Sequence, residues 1–115
     1  MQTNGFELLL PEGILDYFEI KKVDQKEKEI SIVLEERNVI PQEYEGRKLE
    51  SKGFYEDSEV QDFPLRGKAV YLIVKRRRWI DIQTGDTVFR HWELVAKGTR
   101  MTQEFATFLK GISRY

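Results

Sequence analysis

Residues 69–79 set an almost continuous apolar run directly against four consecutive cations, and this junction constrains the fold more than any other feature. Ala69-Val70-Tyr71-Leu72-Ile73-Val74 leads straight into Lys75-Arg76-Arg77-Arg78-Trp79. Val, Ile, Tyr and Trp favour strands, and the composition predicts one over residues 69–82. Its early part is apolar on both faces, which places it centrally in a covered sheet. Side chains alternate along a strand, so Lys75, Arg77 and Trp79 are expected on one face and Arg76 and Arg78 on the other. Burying unpaired charges is costly. The strand therefore has to emerge at the surface here, solvated or against an anion.

The rest of the chain is read around that strand. Pro11, with Glu12 and Asp16 near its start, fits the first turn of a short helix. Residues 18–23 begin to alternate and 29–36 continue as a hairpin partner, with Ile30, Ile32 and Leu34 on one face; residues 24–28 form the charged turn. Residues 37–59 carry Asn38, Pro41, Gly46 and Gly53 without a clear period and read as a long loop. Residues 60–63 read as a short strand stopped by Pro64, followed by a turn over 65–68. Gln83-Thr84-Gly85-Asp86 predicts a hairpin turn, and residues 87–94 the returning strand. Beyond Gly98, Phe105, Phe108, Leu109 and Ile112 recur at helical spacing, with Thr99 or Thr102 as the cap. The expected fold is α+β: an antiparallel β-meander with a short N-terminal helix and a C-terminal helix. Its expected core is Leu9, Ile14, Leu15, Phe18, Ile20, Ile30, Ile32, Leu34, Val70, Leu72, Val74, Phe105, Phe108 and Leu109.

At 115 residues the chain is expected to be a single domain. No apolar run approaches the roughly 18 residues of a membrane helix, and the N-terminus lacks a signal-peptide pattern, so a cytoplasmic location is expected. The absence of cysteine excludes disulfides, thiolate zinc sites and a cysteine nucleophile. A single histidine, His91, leaves little for a metal site or a triad. Nothing assembles a nucleophile, a base and an oxyanion donor, so no enzyme, metal or cofactor is expected. The net charge of -1 conceals two unlike halves. Residues 1–60 hold 8 Lys+Arg and 15 Asp+Glu, whereas residues 61–115 hold 11 and 5. Such halves either neutralise each other or leave one to face an anion.

The basic half supplies the candidate site: Lys75, Arg76, Arg77, Arg78, Arg90, Lys97 and Arg100, with Trp79 and Trp92 interleaved. Arginine bonds phosphate bidentately and indole can stack on a base, so a basic β-ribbon of this kind suits nucleic acid. The same arginines could instead pair with the acidic half on a solvated face. A pI of 5.9 is lower than is usual for a free-standing nucleic-acid binder.

Three segments carry a family resemblance. Gln61-Asp62-Phe63-Pro64-Leu65-Arg66-Gly67-Lys68, then residues 70–79, then Ala96-Lys97-Gly98-Thr99-Arg100-Met101-Thr102-Gln103-Glu104-Phe105-Ala106 resemble the N-terminal region of a bacterial insertion-sequence transposase. Residues 10–18 fit the Bacteroidetes-type branch, in which this region is a separate short reading frame. The resemblance implies a non-catalytic protein that helps bind element-end DNA, acting with a separate polypeptide bearing the DDE catalytic carboxylates. Zinc-bearing relatives carry Cys-x-x-Cys pairs at positions matching Leu49 and Lys52, and Asp81 and Thr84. None of these is a thiolate, so the implied ribbon here is metal-free, held by hairpin pairing and apolar packing. The helix from about Met101 resembles the lead-in to a helix-turn-helix whose recognition helix is not completed. The DNA contacts it implies are Lys75, Arg76, Arg77, Arg78, Trp79, Arg90, Lys97 and Arg100. The alternative is a protein-interaction module that docks the catalytic subunit without touching DNA; the oligomeric state is left open, a homo-oligomer included.

Overall fold

A computed structural model describes residues 5–6, 10 and 13–91. Alternating residues build the first hairpin: β1, Phe18–Gln25, pairs antiparallel with β2, Glu29–Glu36. In β2 the alternation is strict, with Ile30, Ile32, Leu34 and Glu36 buried and the intervening side chains half-buried. β3 is Leu49–Phe54, β4 Ser58–Leu65, β5 Lys68–Lys75, β6 Arg77–Asp81 and β7 Thr87–Val88.

Two sheets result. The larger has the order β1-β2-β5-β4, and the smaller β3-β6-β7. As its composition predicts, β5 is central: it lies parallel to β2 from Glu29↔Ala69 to Glu35↔Lys75 and antiparallel to β4 on its other side. Ile14, Phe18, Ile30, Ile32, Leu34, Val70, Leu72 and Val74 form the core with Leu10, while Leu15 and Ile20 pack half-buried against it. Complete burial of a residue such as Leu34 or Leu72 contributes roughly 1.5–3 kcal/mol. The exposed ion pairs around the sheet contribute about 0–1 kcal/mol each. Apolar burial therefore holds this sheet together. Leu9, Phe105, Phe108 and Leu109 lie outside the described residues.

The α+β expectation is corrected. The described residues are strands and turns, and their only helical segments of three residues are 3-10 turns at Ile14–Asp16 and Gln42–Tyr44. Gly13, at φ 93°, precedes the first of these and turns the chain sharply into β1, so no α-helix forms there. The expected C-terminal helix lies outside the described residues. Nor is the larger sheet a meander, because β2 and β5 run parallel and residues 37–67 cross between them.

Three local expectations change too. The loop over residues 37–59 contains β3, which forms only because β6 offers it a partner. β4 runs through Pro64 instead of stopping there, and a register shift between Asp62 and Leu65 absorbs the missing N–H on what is an edge strand. The strand expected over 69–82 is two strands, broken at Arg76 and shared between the two sheets. The turns at residues 66–67 and 82–86 stand where expected. Arg66 and Gly67 both take positive φ, 49° and 80°, as a tight two-residue hairpin turn requires. Among the described residues no helix is long and apolar enough to cross a membrane.

Candidate nucleic-acid interface

The four cations solve the burial problem by leaving one sheet for another. β2 and β5 stay paired as far as Glu35↔Lys75, and at Arg76 the chain departs. The Arg76 carbonyl accepts the Tyr55 N–H at 2.9 Å. The Arg77 N–H, which has lost its β2 partner, donates to Glu36 Oε1 at 2.9 Å, and Arg77 Nε donates to the Glu36 carbonyl at 3.1 Å. Glu36 thus caps the break. Its side chain is fully buried, the inward position that the β2 alternation dictates.

Glu36 holds a second arginine. Arg90 Nε donates to Glu36 Oε2 at 3.1 Å, and Arg90 Nη2 donates to the Val39 carbonyl at 2.8 Å. The Arg90 guanidinium also lies 5.2 Å from the centre of the Tyr17 ring. Burial raises the Glu36 pKa above the ordinary 4.5, against the opposing pull of the Arg77 N–H and of Arg90.

The nominated residues therefore separate into two groups. Arg77 and Trp79 share a face, as alternation predicts, and that face points inward. Arg77 also donates to Ser51 Oγ at 2.6 Å and meets Glu35 at 3.5 Å. Trp79 is fully buried, with Nε1 donating to Asn38 Oδ1 at 3.4 Å, so it packs and offers no ring to a base. Arg90 is likewise buried. Lys75 does not join this inward face; it pairs with exposed Asp57 at 3.0 Å. Arg76 and Arg78 point the other way, and their guanidinium groups lie 5.8 and 5.9 Å from the centre of the same Tyr55 ring. Arg78 Nε and Nη2 donate to the Lys52 carbonyl at 3.3 and 3.1 Å, and none of the ion pairs among the described residues involves Arg78. Lys97, Arg100 and Trp92 lie outside the described residues.

Beside Arg76 lies a row of rings that the sequence reading did not single out as a unit. Tyr55 meets Phe89 edge-on at 6.0 Å, Phe89 meets His91 at 5.1 Å, and His91 is tilted against Tyr44 at 6.1 Å. Tyr44 Oη donates to the Phe89 carbonyl at 2.9 Å, and Glu43 meets His91 Nδ1 at 2.8 Å. Tyr55, Glu56, Asp57, Arg76 and Phe89 line an open groove of about 490 Å³. No sequence signal joins these positions, because 45 residues separate Tyr44 from Phe89 and only tertiary pairing unites them.

Two of the four positions that match the zinc ligands of the resembling family meet. Leu49 and Asp81 are cross-strand neighbours on β3 and β6. Asp81 Oδ1 accepts the N–H groups of Gln83 and Thr84 at 2.9 and 3.2 Å, and Oδ2 meets Arg47 Nε at 2.7 Å. The Arg47 bond, foremost, holds the Asp81 carboxyl below its ordinary pKa, with the two turn N–H groups adding to it. An ion pair and a capped turn fasten this end of the smaller sheet. No cluster of His, Cys, Asp or Glu among the described residues could hold a metal ion. No family model, curated protein or solved structure matches the chain.

Proposed function

We propose that this chain is the non-catalytic N-terminal part of an insertion-sequence transposase, working in the cytoplasm to help bind element-end DNA for a separate catalytic polypeptide. The resemblance of residues 61–68, 70–79 and 96–106 to that family supports the reading. The structural observation that carries it is the half-buried pair Arg76 and Arg78, whose guanidinium groups lie against one Tyr55 ring beside Lys52. Arg78 spends its hydrogen bonds on a neutral carbonyl, so its charge remains available to a phosphate oxygen. In this reading Arg77, Arg90 and Trp79 build the platform, whereas Arg76, Arg78, Lys75 and Lys52 face the backbone of the duplex.

A salt titration of duplex binding tests the reading. Three or four phosphate contacts predict a slope near -3 in log affinity against log salt. Replacing Arg76 and Arg78 together by Ala should flatten the slope by about 2 without a matching loss of fold stability. Absence of duplex binding at about 50 mM salt would reject DNA contact.

One observation favours a second reading, an interaction module that docks the catalytic subunit and leaves DNA to it. Lys75, Arg77 and Arg90 are each paired with a carboxylate from residues 35–57. Much of the basic run is thereby already neutralised within the chain. Co-purification with the DDE-bearing polypeptide, together with no DNA binding by the chain alone, would select this reading.

A further inference from the structure

Resting on the DNA reading, we propose that Phe89 and Tyr55, flanked by Arg76 and Arg78, form a stacking site for unpaired nucleobases of a single-stranded DNA segment. Large apolar side chains are normally exposed singly and need no explanation. Phe89 is different in its setting. It is 46% exposed in a row of rings, and its ring neighbours Tyr55 and His91 meet it nearly at right angles, at 89° and 80°. No ring among the described residues lies parallel on it, and with Tyr55 it lines the groove.

Charge selects the occupant. Arg76 lines the same groove, and Arg78 lies against the far partner of Phe89, Tyr55. Ring faces bordered by guanidinium groups match the alternation of base and phosphate along a single strand, which is how sequence-tolerant single-strand sites are built. Two carboxylates also line the groove. Asp57 is neutralised by Lys75 at 3.0 Å. Glu56 has no ion pair among the described residues and can accept from the exocyclic amine of a base. A wholly apolar peptide would leave Glu56 without a counterpart, which disfavours it as the ligand.

The test uses the full chain and two probes: a duplex of about 20 base pairs, and the same duplex with a single-stranded tail of about eight deoxycytidines, whose N4 amines suit Glu56. The tail should tighten binding by about fivefold or more. Phe89→Leu, which keeps apolar bulk but removes the ring, should abolish that gain while leaving duplex affinity unchanged; Phe89→Trp should keep it. Tyr55→Leu should reduce it. Equal binding of both probes by the unaltered chain would overturn the stacking site while leaving the DNA reading intact. So would a gain that survives Phe89→Leu combined with Tyr55→Leu. Binding of neither probe would remove the DNA reading and the stacking site together. Loss of association with a DDE-bearing partner in Phe89→Leu, with the tailed probe still held, would reassign the row to protein docking.

Discussion

Glu36 Oε2 and Arg90 Nε meet at 3.1 Å in the interior, 54 residues apart in sequence. The pair joins the end of β2 to the segment that follows β7, and the same carboxylate caps the break between β5 and β6 through the Arg77 N–H. Three pieces of chain therefore depend on one side chain.

Removing one partner of a buried pair leaves the other without compensation, at a cost of about 3–5 kcal/mol. Arg90→Met should show a loss of that order by denaturant titration. Replacing both members, as Glu36→Leu with Arg90→Met, should recover part of it. A single variant within about 0.5 kcal/mol of the parent would show that the pair has no structural weight.

Glu36 and Asp81 should give opposite pH signatures. Burial raises the Glu36 pKa in the folded state, so its contribution is fully present below the ordinary 4.5 and is lost as pH rises through the folded value. The stability of the parent relative to Glu36→Gln should accordingly fall as pH rises from about 4.5 towards neutrality. Arg47 lowers the Asp81 pKa, so that contribution is present above the ordinary 3.8 and is lost as pH falls through the lower folded value. The parent's advantage over Asp81→Asn should shrink as the solution is acidified. Parallel denaturation series across pH check both slopes; a reversed sign for Asp81 would contradict its Arg47 contact, and a reversed sign for Glu36 would show that Arg90 and the Arg77 N–H outweigh its burial.

Asp81 has two separable duties, holding Arg47 and capping the turn N–H groups of Gln83 and Thr84. Asp81→Asn keeps an acceptor for the turn, whereas Asp81→Ala keeps neither contact. Thermal melting should rank the parent above Asn, and Asn above Ala. Equal melting of the two variants would mean that the cap is idle.

Neighbours in the basic run should behave oppositely. Arg77→Ala removes the bonds to Ser51 and the Glu36 carbonyl and should lower the melting temperature. Arg78→Ala should leave the melting temperature nearly unchanged and weaken duplex binding. Paired melting and binding measurements on these two variants decide the matter, and matching phenotypes would refute the division of the run into inward and outward members.

Arg66 carries a left-handed φ of 49° at the β4–β5 turn. That conformation costs most residues roughly 1–2 kcal/mol, and Asn tolerates it better. Arg66→Asn should therefore stabilise the fold by about 0.5–1 kcal/mol in a denaturant titration. Gly67→Ala, at φ 80°, should destabilise it by a similar amount or more.

Local pattern predicted what depends on neighbours along the chain. The β1–β2 hairpin, the central place of β5 and the turns at residues 66–67 and 82–86 all follow from alternation and turn chemistry. So does the shared face of Arg77 and Trp79. Glu36 was readable in principle, because the alternation of Ile30, Ile32 and Leu34 carries it inward; a carboxylate there demands a cationic partner. What the sequence could not reveal is long-range pairing. The parallel match of β2 with β5, the recruitment of β3 by β6 and the row from Tyr55 to Tyr44 arise only when distant segments meet. The break at Arg76 was hidden for the same reason: nothing in Lys75-Arg76-Arg77-Arg78 announces that a strand changes sheets there.

The parallel match of β2 with β5 also bears on how the protein is born. Glu29 must wait for Ala69, forty residues later. At roughly 5–20 residues per second, ribosomal synthesis leaves the first hairpin with a naked inner edge for several seconds. Because that edge leaves the backbone N–H and C=O groups of β2 unpaired, and the face bearing Ile30, Ile32 and Leu34 is still uncovered, the nascent chain is most vulnerable to self-association in that interval. A chaperone that shields the first hairpin would do most for the yield of folded protein.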